Sequence, residues 1–114
     1  MRITHGIDII DISEIRLTMR DPAQLQRLLH AGDIVRNEPE HIAGRIALKE
    51  ATIKALGLKP GSWLDIRIHT NASGKPVVSV IDPPHGLLSL DGSVSHHGHT
   101  AIGSVVALFD DKDE

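Results

Sequence analysis

The chain has no cysteine and no tyrosine, and only one tryptophan and one phenylalanine in 114 residues. Without cysteine, disulfides and thiolate-based metal or redox sites are excluded. With aromatics at 2%, there is almost no platform on which nucleic-acid bases could stack. The core must be built from Ile, Leu, Val and Ala instead. A basic footprint is missing too. Twelve Lys and Arg against 15 Asp and Glu give a net charge of −3 with neutral His, which argues against a nucleic-acid partner. No apolar run reaches the length of a membrane span, and MRITHGIDII is too short and interrupted for a signal peptide. A soluble cytoplasmic protein is the expectation. Histidine is plentiful by contrast: eight residues make the charge sensitive to pH below about 7.

The stretch from His41 to Gly57, HIAGRIALKEATIKALG, organises the rest. It reads as a helix, with Pro39 fitting the first turn, Asn37 and Glu40 resembling a capping box, and Gly57 placed for a left-handed end. Ile42, Ile46, Ile53 and Leu56 form an apolar stripe. Beside it runs a second lane, Ala43, Ala47, Glu50 and Lys54, in which the alanines leave room for something to come close. Lys49 falls inside the stripe, where it is expected to snorkel towards water. Taken alone, Glu50 and Lys54 read as an ordinary i,i+4 surface pair.

Before this helix, Arg2–Ile10 reads as a strand, with Gly6 as a point of close approach and Asp8 as a carboxylate between Ile7 and Ile9. Ser13–Arg20 reads as a short helix with Ser13 as its N-cap, and Asp21-Pro22 starts another. Arg16, Arg20 and Arg27 make this region cationic: a solvated face in the plain reading, a docking surface for an acidic partner in the other. After the helix, Trp63–Thr70 and Lys75–Ile81 form a hairpin about Asn71–Gly74. Residues 82–92 read as irregular. Ser93–His96 and Ala101–Leu108 form a second hairpin, its last strand apolar and central. The expected architecture is α+β: a mainly antiparallel sheet packed against one long helix plus short helices. One domain is expected over 1–109, followed by a charged, disordered tail at 110–114. So small a chain gains burial by oligomerising.

Four pieces stand apart: GIDI at 6–9, AGRIALKEATIKALG at 43–57, the DI…GKP segment at 65–76 and SVSHHGHTAI at 93–102. In this order and approximate spacing they resemble holo-acyl-carrier-protein synthases, the small bacterial 4′-phosphopantetheinyl transferases. Each piece alone is weak; together they cover nearly the whole chain. The resemblance implies the 4′-phosphopantetheinyl transferase fold. It implies transfer of the 4′-phosphopantetheine arm of coenzyme A to a serine of an apo-acyl-carrier protein, releasing adenosine 3′,5′-bisphosphate. It implies Mg²⁺ on Asp8 and Glu50, since that cation takes oxygen ligands and needs only one or two carboxylates. Lys54 would meet the diphosphate or the leaving phosphate, and Arg45, Lys75 and His96 the coenzyme's phosphates. Ser95 and Gly57 belong to the same coenzyme-binding set. The proton of the carrier serine would pass to Glu50 or to a metal-bound water; the sequence leaves both open. The resemblance also implies a homotrimer with active sites between subunits.

Two other readings of the histidine-rich segment are weaker. His96-His97-x-His99 lacks surrounding carboxylates for a transition-metal site, and Ser95-His96 as neighbours on a strand point to opposite faces.

The chain also departs from the family pattern. The usual Phe-Thr-x-x-Glu before the long helix is Leu29-His30-Ala31-Gly32-Asp33, Ile46 replaces a phenylalanine, the loop after Gly57 is altered, and Glu14 stands near a usual arginine. These departures keep two alternatives in view. One is a specialised paralogue that binds coenzyme A or a carrier protein without efficient transfer; the other is a non-enzymatic interaction domain.

Overall fold

In the computed structural model, which describes residues 1–110, two antiparallel sheets lie against one long helix. The elements run β1 (Arg2–Asp11), α1 (Ile12–Thr18), α2 (Pro22–Gln26), α3 (Pro39–Leu56), β2 (Ile66–Thr70), β3 (Pro76–Val80), β4 (Leu87–His97) and β5 (Thr100–Phe109), with 3-10 turns at Ala31–Asp33 and Ser62–Asp65. The larger sheet has the order β1-β5-β4, so the apolar last strand is central as expected; β2 and β3 form the second sheet. The architecture is α+β, as the sequence pattern implies. No helix among the described residues is long and apolar enough to cross a membrane. Of the charged tail expected at 110–114, residues 111–114 lie outside the described residues, while the Asp110 N–H donates to Gly86 O at 2.8 Å.

Small residues decide how closely α3 approaches the sheet. On β5 the inward positions Ala101, Gly103, Val105 and Ala107 are fully buried or nearly so. A Cβ on Gly6 would land on Ala51 O, and one on Gly103 would lie 2.5 Å from the Ala47 carbonyl carbon. Ala43, Ala47 and Ala51 of the helix have no exposed surface. The room that the alanines leave is thus taken by the sheet itself. The burial of Leu48, Ile66, Ile68 and Val105 anchors one end of the core, and that of Ile12, Leu29, Ile42 and Ile46 the other. On the opposite face of the sheet Ile3, Ile7 and Ile9 are 70%, 54% and 67% exposed, and Ile102 and Val106 of β5 are open beside them.

Several local expectations are corrected. α3 has Glu38, not Asn37, at its N-cap and no side-chain cap, whereas Gly57 does end it in the left-handed region (φ 65°). Asp11, not Ser13, caps α1: its carboxylate accepts the Ser13 N–H at 2.9 Å. Trp63 lies in a 3-10 turn before β2. Residues 87–92 are strand, because pairing with β5 overrides the poor strand propensity of Asp91 and Gly92. Lys49 does not snorkel. It is fully buried, with Nζ 2.7 Å from Asp33 Oδ2 and donating at 2.9 Å to both Leu28 O and Trp63 O.

Candidate active site

Asp8 reaches α3 because β1 crosses the helix at Gly6, and alternation along the strand puts Asp8 on the same side. Lys54 Nζ donates to Asp8 Oδ1 at 3.0 Å and to Ile7 O at 2.9 Å. One turn earlier on the same side of α3, Glu50 Oε1 accepts the Trp63 indole N–H at 2.6 Å. Of the expected group, Asp8 and Lys54 are joined directly across β1 and α3, while Glu50, one turn before Lys54, is bound to Trp63. Trp63 went unread because an alternating segment looks like strand throughout, while the 3-10 turn swings its first residue back towards the helix. Each hydrogen bond uses one carboxylate oxygen, and lone pairs remain for a hard cation. No third Asp, Glu or His clusters with them among the described residues. A cation that keeps most of its water needs no more than this donor set, so the residues fit Mg²⁺.

A second feature is a cavity of about 620 Å³ lined by Arg36, Glu38, His41, Arg45, Gly74 and His96, among others. It lies where α3, the 71–75 turn and β4 meet. Arg45 is only 6% exposed. Its Nη2 donates to Thr70 Oγ1 at 2.7 Å and its Nε to His41 Nε2 at 3.4 Å. Burial lowers the Arg45 pKa from its ordinary value, with Asp33 acting the other way. Burial likewise lowers that of His41, aided by Arg45 and Arg36 and opposed by Glu38. His41 was legible only as a spacing: it stands one turn before Arg45 on the same side of the helix.

The remaining expected residues are dispersed. Lys75 Nζ pairs with Asp91 at 2.7 Å, while its neighbours Gly74 and Pro76 line the cavity. His96 and Val94 line it from β4, so Ser95 between them alternates to the other face. Gly57 lines neither this cavity nor the apolar recess formed by Ile7, Asp8, Ile9, Lys54 and Ile102.

Asp33, noted in the sequence only within the segment that departs from the family's Phe-Thr-x-x-Glu, is the buried partner of Lys49. Its carboxylate also accepts the N–H groups of Ile68 at 2.9 Å and His30 at 2.7 Å. Burial pushes its carboxyl up, but the hydrogen bonds from Lys49, Ile68 and His30 outweigh this, and the net shift is downward. This pair ties the 28–33 segment, the Trp63 turn and β2 to α3.

No family model matches the chain. Individual proteins do. A holo-[acyl-carrier-protein] synthase of Protochlamydia amoebophila is 40% identical over 119 residues, covering 90% of this chain and 96% of its own length. That of Exiguobacterium sibiricum is 36% identical over 112 residues, covering 89% and 84%. The chain belongs to the holo-[acyl-carrier-protein] synthase family. It is an enzyme of the phosphopantetheinyl transferase kind, as its sequence motifs suggest. Among solved synthases, that of Helicobacter pylori in complex with coenzyme A matches at a TM-score of 0.81 and 32% identity, over 91% of this chain and 99% of the other. One from Bacillus anthracis, in complex with CoA (3′,5′-ADP), matches at 0.73 and 31%, over 91% and 94%.

Proposed function

We propose that this synthase transfers the 4′-phosphopantetheine group of coenzyme A to a serine of an apo-acyl-carrier protein, with Mg²⁺, releasing adenosine 3′,5′-bisphosphate. The observation that carries this reading is the pairing of Asp8 with Lys54 one turn from Glu50, next to a groove open to solvent. Asp8 and Glu50 would hold the cation, which supplies charge neutralisation at the diphosphate when bound. Lys54 is 54% exposed, so its ammonium can move from Asp8 to a phosphate oxygen as a point charge. Arg45 and His96 would take the nucleotide's phosphates in the larger cavity. The serine proton would pass to Glu50 or to a water held by the cation. Arg16 and Arg20 on and just after α1 are exposed and would meet an acidic carrier protein. A role in fatty-acid synthesis in the cytoplasm fits such a reaction.

The same reading includes a homotrimer. Arg45 and Lys54 are nine residues apart on α3 and so about half a turn out of phase at roughly 100° per residue. The cavity of one protomer and the Asp8–Lys54 groove thus face different ways, and a second copy is needed to bring the two halves together. The exposed Ile3, Ile7, Ile9, Ile102 and Val106 supply the apolar surface for that contact.

Intact-mass analysis of an apo-carrier protein after incubation with the chain, coenzyme A and Mg²⁺, beside a chelator control, tests the transfer. A gain of one phosphopantetheine that the chelator abolishes supports it. Coenzyme A binding without transfer to several carriers would favour the specialised paralogue. Mixing the inactive variants Arg45→Ala and Lys54→Ala should restore activity if sites form between protomers; mixtures as inactive as their parts would refute the shared site.

A further inference from the structure

Two N–H groups converge on one nitrogen of His41. The Val35 main-chain N–H lies 3.2 Å from His41 Nε2, and the Arg45 Nε–H lies 3.4 Å from it. A backbone amide and a guanidinium can only donate. Nε2 must therefore carry a lone pair, and the ring proton sits on Nδ1 in the neutral form. One acceptor thus fixes two things: the orientation of the Arg45 guanidinium, whose other side is held by Thr70 Oγ1, and the main chain just before Arg36 and Glu38, which line the same cavity. A proton on Nε2 removes both bonds and places a second cation against Arg45.

We propose that His41 is a positioning residue for the nucleotide-phosphate end of the coenzyme site, and that its neutral form is the one competent to bind. This rests on the reading that the cavity takes the phosphates of coenzyme A. Partial burial of the ring, where water is scarce, makes the neutral form the stable one, and the cations facing His41 add to this. Arg45 on its own helix and Arg36 on the preceding segment disfavour a proton, and Glu38 opposes them. Glu40, also on α3, is engaged by Arg16 of α1 at 3.5 Å. Across the cavity stands His96 of β4.

The test is coenzyme A binding by calorimetry in steps from pH 8 down to about pH 4.5, well below the ordinary histidine value, with wild type, His41→Gln, His41→Leu and Arg45→Ala. The Gln side chain can place an acceptor oxygen where Nε2 stands and does not titrate. The coenzyme's phosphates titrate in the same range, so the ratio of wild type to His41→Gln is the quantity read. We expect wild type to lose about tenfold more affinity than His41→Gln once the pH has fallen past the depressed value of His41, the scale of one charge-assisted hydrogen bond. His41→Leu should bind about tenfold more weakly than wild type at pH 8. A His41→Gln profile that tracks wild type within about twofold, with Arg45→Ala still impairing binding, overturns the role of His41 alone. Unchanged binding by Arg45→Ala overturns the reading of the cavity and the inference with it. Should His41→Leu fail to fold, the wild type and His41→Gln comparison decides.

Discussion

Two Asp–Lys pairs clasp α3, and their chemistry is the same, yet they do opposite things. Asp33–Lys49 closes at 2.7 Å with side chains 1% and 0% exposed, whereas Asp8–Lys54 closes at 3.0 Å with 19% and 54% exposed. Every proton of the Lys49 ammonium is spoken for: Asp33, Leu28 O and Trp63 O take all three. Nothing is left to offer a ligand, and the pair acts as a brace. Lys54 keeps an exposed head and a partner from which it can be drawn away. Surroundings, not residue type, separate the structural pair from the functional one.

The sharpest way to break that contrast is to remove the two lysines one at a time. Lys49→Met leaves the Asp33 carboxylate buried without its counter-charge, and denaturant titration should read a loss of about 3–5 kcal/mol. Asp33→Leu combined with Lys49→Met should cost less than the two single changes summed, because no orphaned charge remains. Lys54→Met should change stability by less than about 1 kcal/mol, as for an exposed pair. Its effect should fall on catalysis, where removing one charge-stabilising donor lowers transfer by roughly 100-fold or more. Equal losses of stability from Lys49→Met and Lys54→Met would erase the distinction.

The sequence carried the exposed pair better than the buried one. Glu50 and Lys54 share a helix face by spacing alone, and Asp8 stands out as a carboxylate in an apolar strand. Pro39 and Gly57 mark the helix because backbone chemistry, not tertiary contact, dictates those positions. Lys49 looked like a snorkelling residue because its partner comes from an irregular stretch with no periodicity to advertise it. The cavity was hidden for the same reason: Arg45, Gly74 and His96 come from three separate parts of the chain, and only the packing of β4 and the 71–75 turn against α3 joins them. His41 had the right spacing from Arg45, but its acceptor role depends on where Val35 ends up.

Trp63 links the buried pair to the expected metal ligand: its carbonyl accepts from Lys49 and its indole donates to Glu50 at 2.6 Å. Trp63→Phe keeps the carbonyl and removes only the indole donor. The brace should survive, with thermal stability nearly that of wild type. Glu50 loses the group that orients it, and such outer partners of a metal ligand are worth about tenfold in metal affinity or activity. The Mg²⁺ concentration for half-maximal transfer should rise accordingly. An unchanged Mg²⁺ requirement would mean that Glu50 is held well enough by its helix.

The smallest expected effect is acid sensitivity, and it separates the brace from the site by pH. Asp33 is held below the ordinary carboxyl value of 3.8, so its contribution to stability is present above that value and is lost as pH falls through the depressed one. His41 is a base held below 6.5. Between its depressed value and 6.5 the unfolded chain takes up a proton that the folded chain refuses, so stability declines as pH drops across that window and then levels off. Each slope is at most about 1.4 kcal/mol per pH unit for one proton. Stability measured by denaturant titration from pH 8 downwards should therefore fall in two stages. His41→Gln should remove the first stage, beginning near 6.5, and leave the second. In Asp33→Asn, destabilised overall, the second stage should be missing. A first stage that persists in His41→Gln would mean that another histidine is refused its proton by the fold, and the lone pair on His41 Nε2 would then not be what acid attacks.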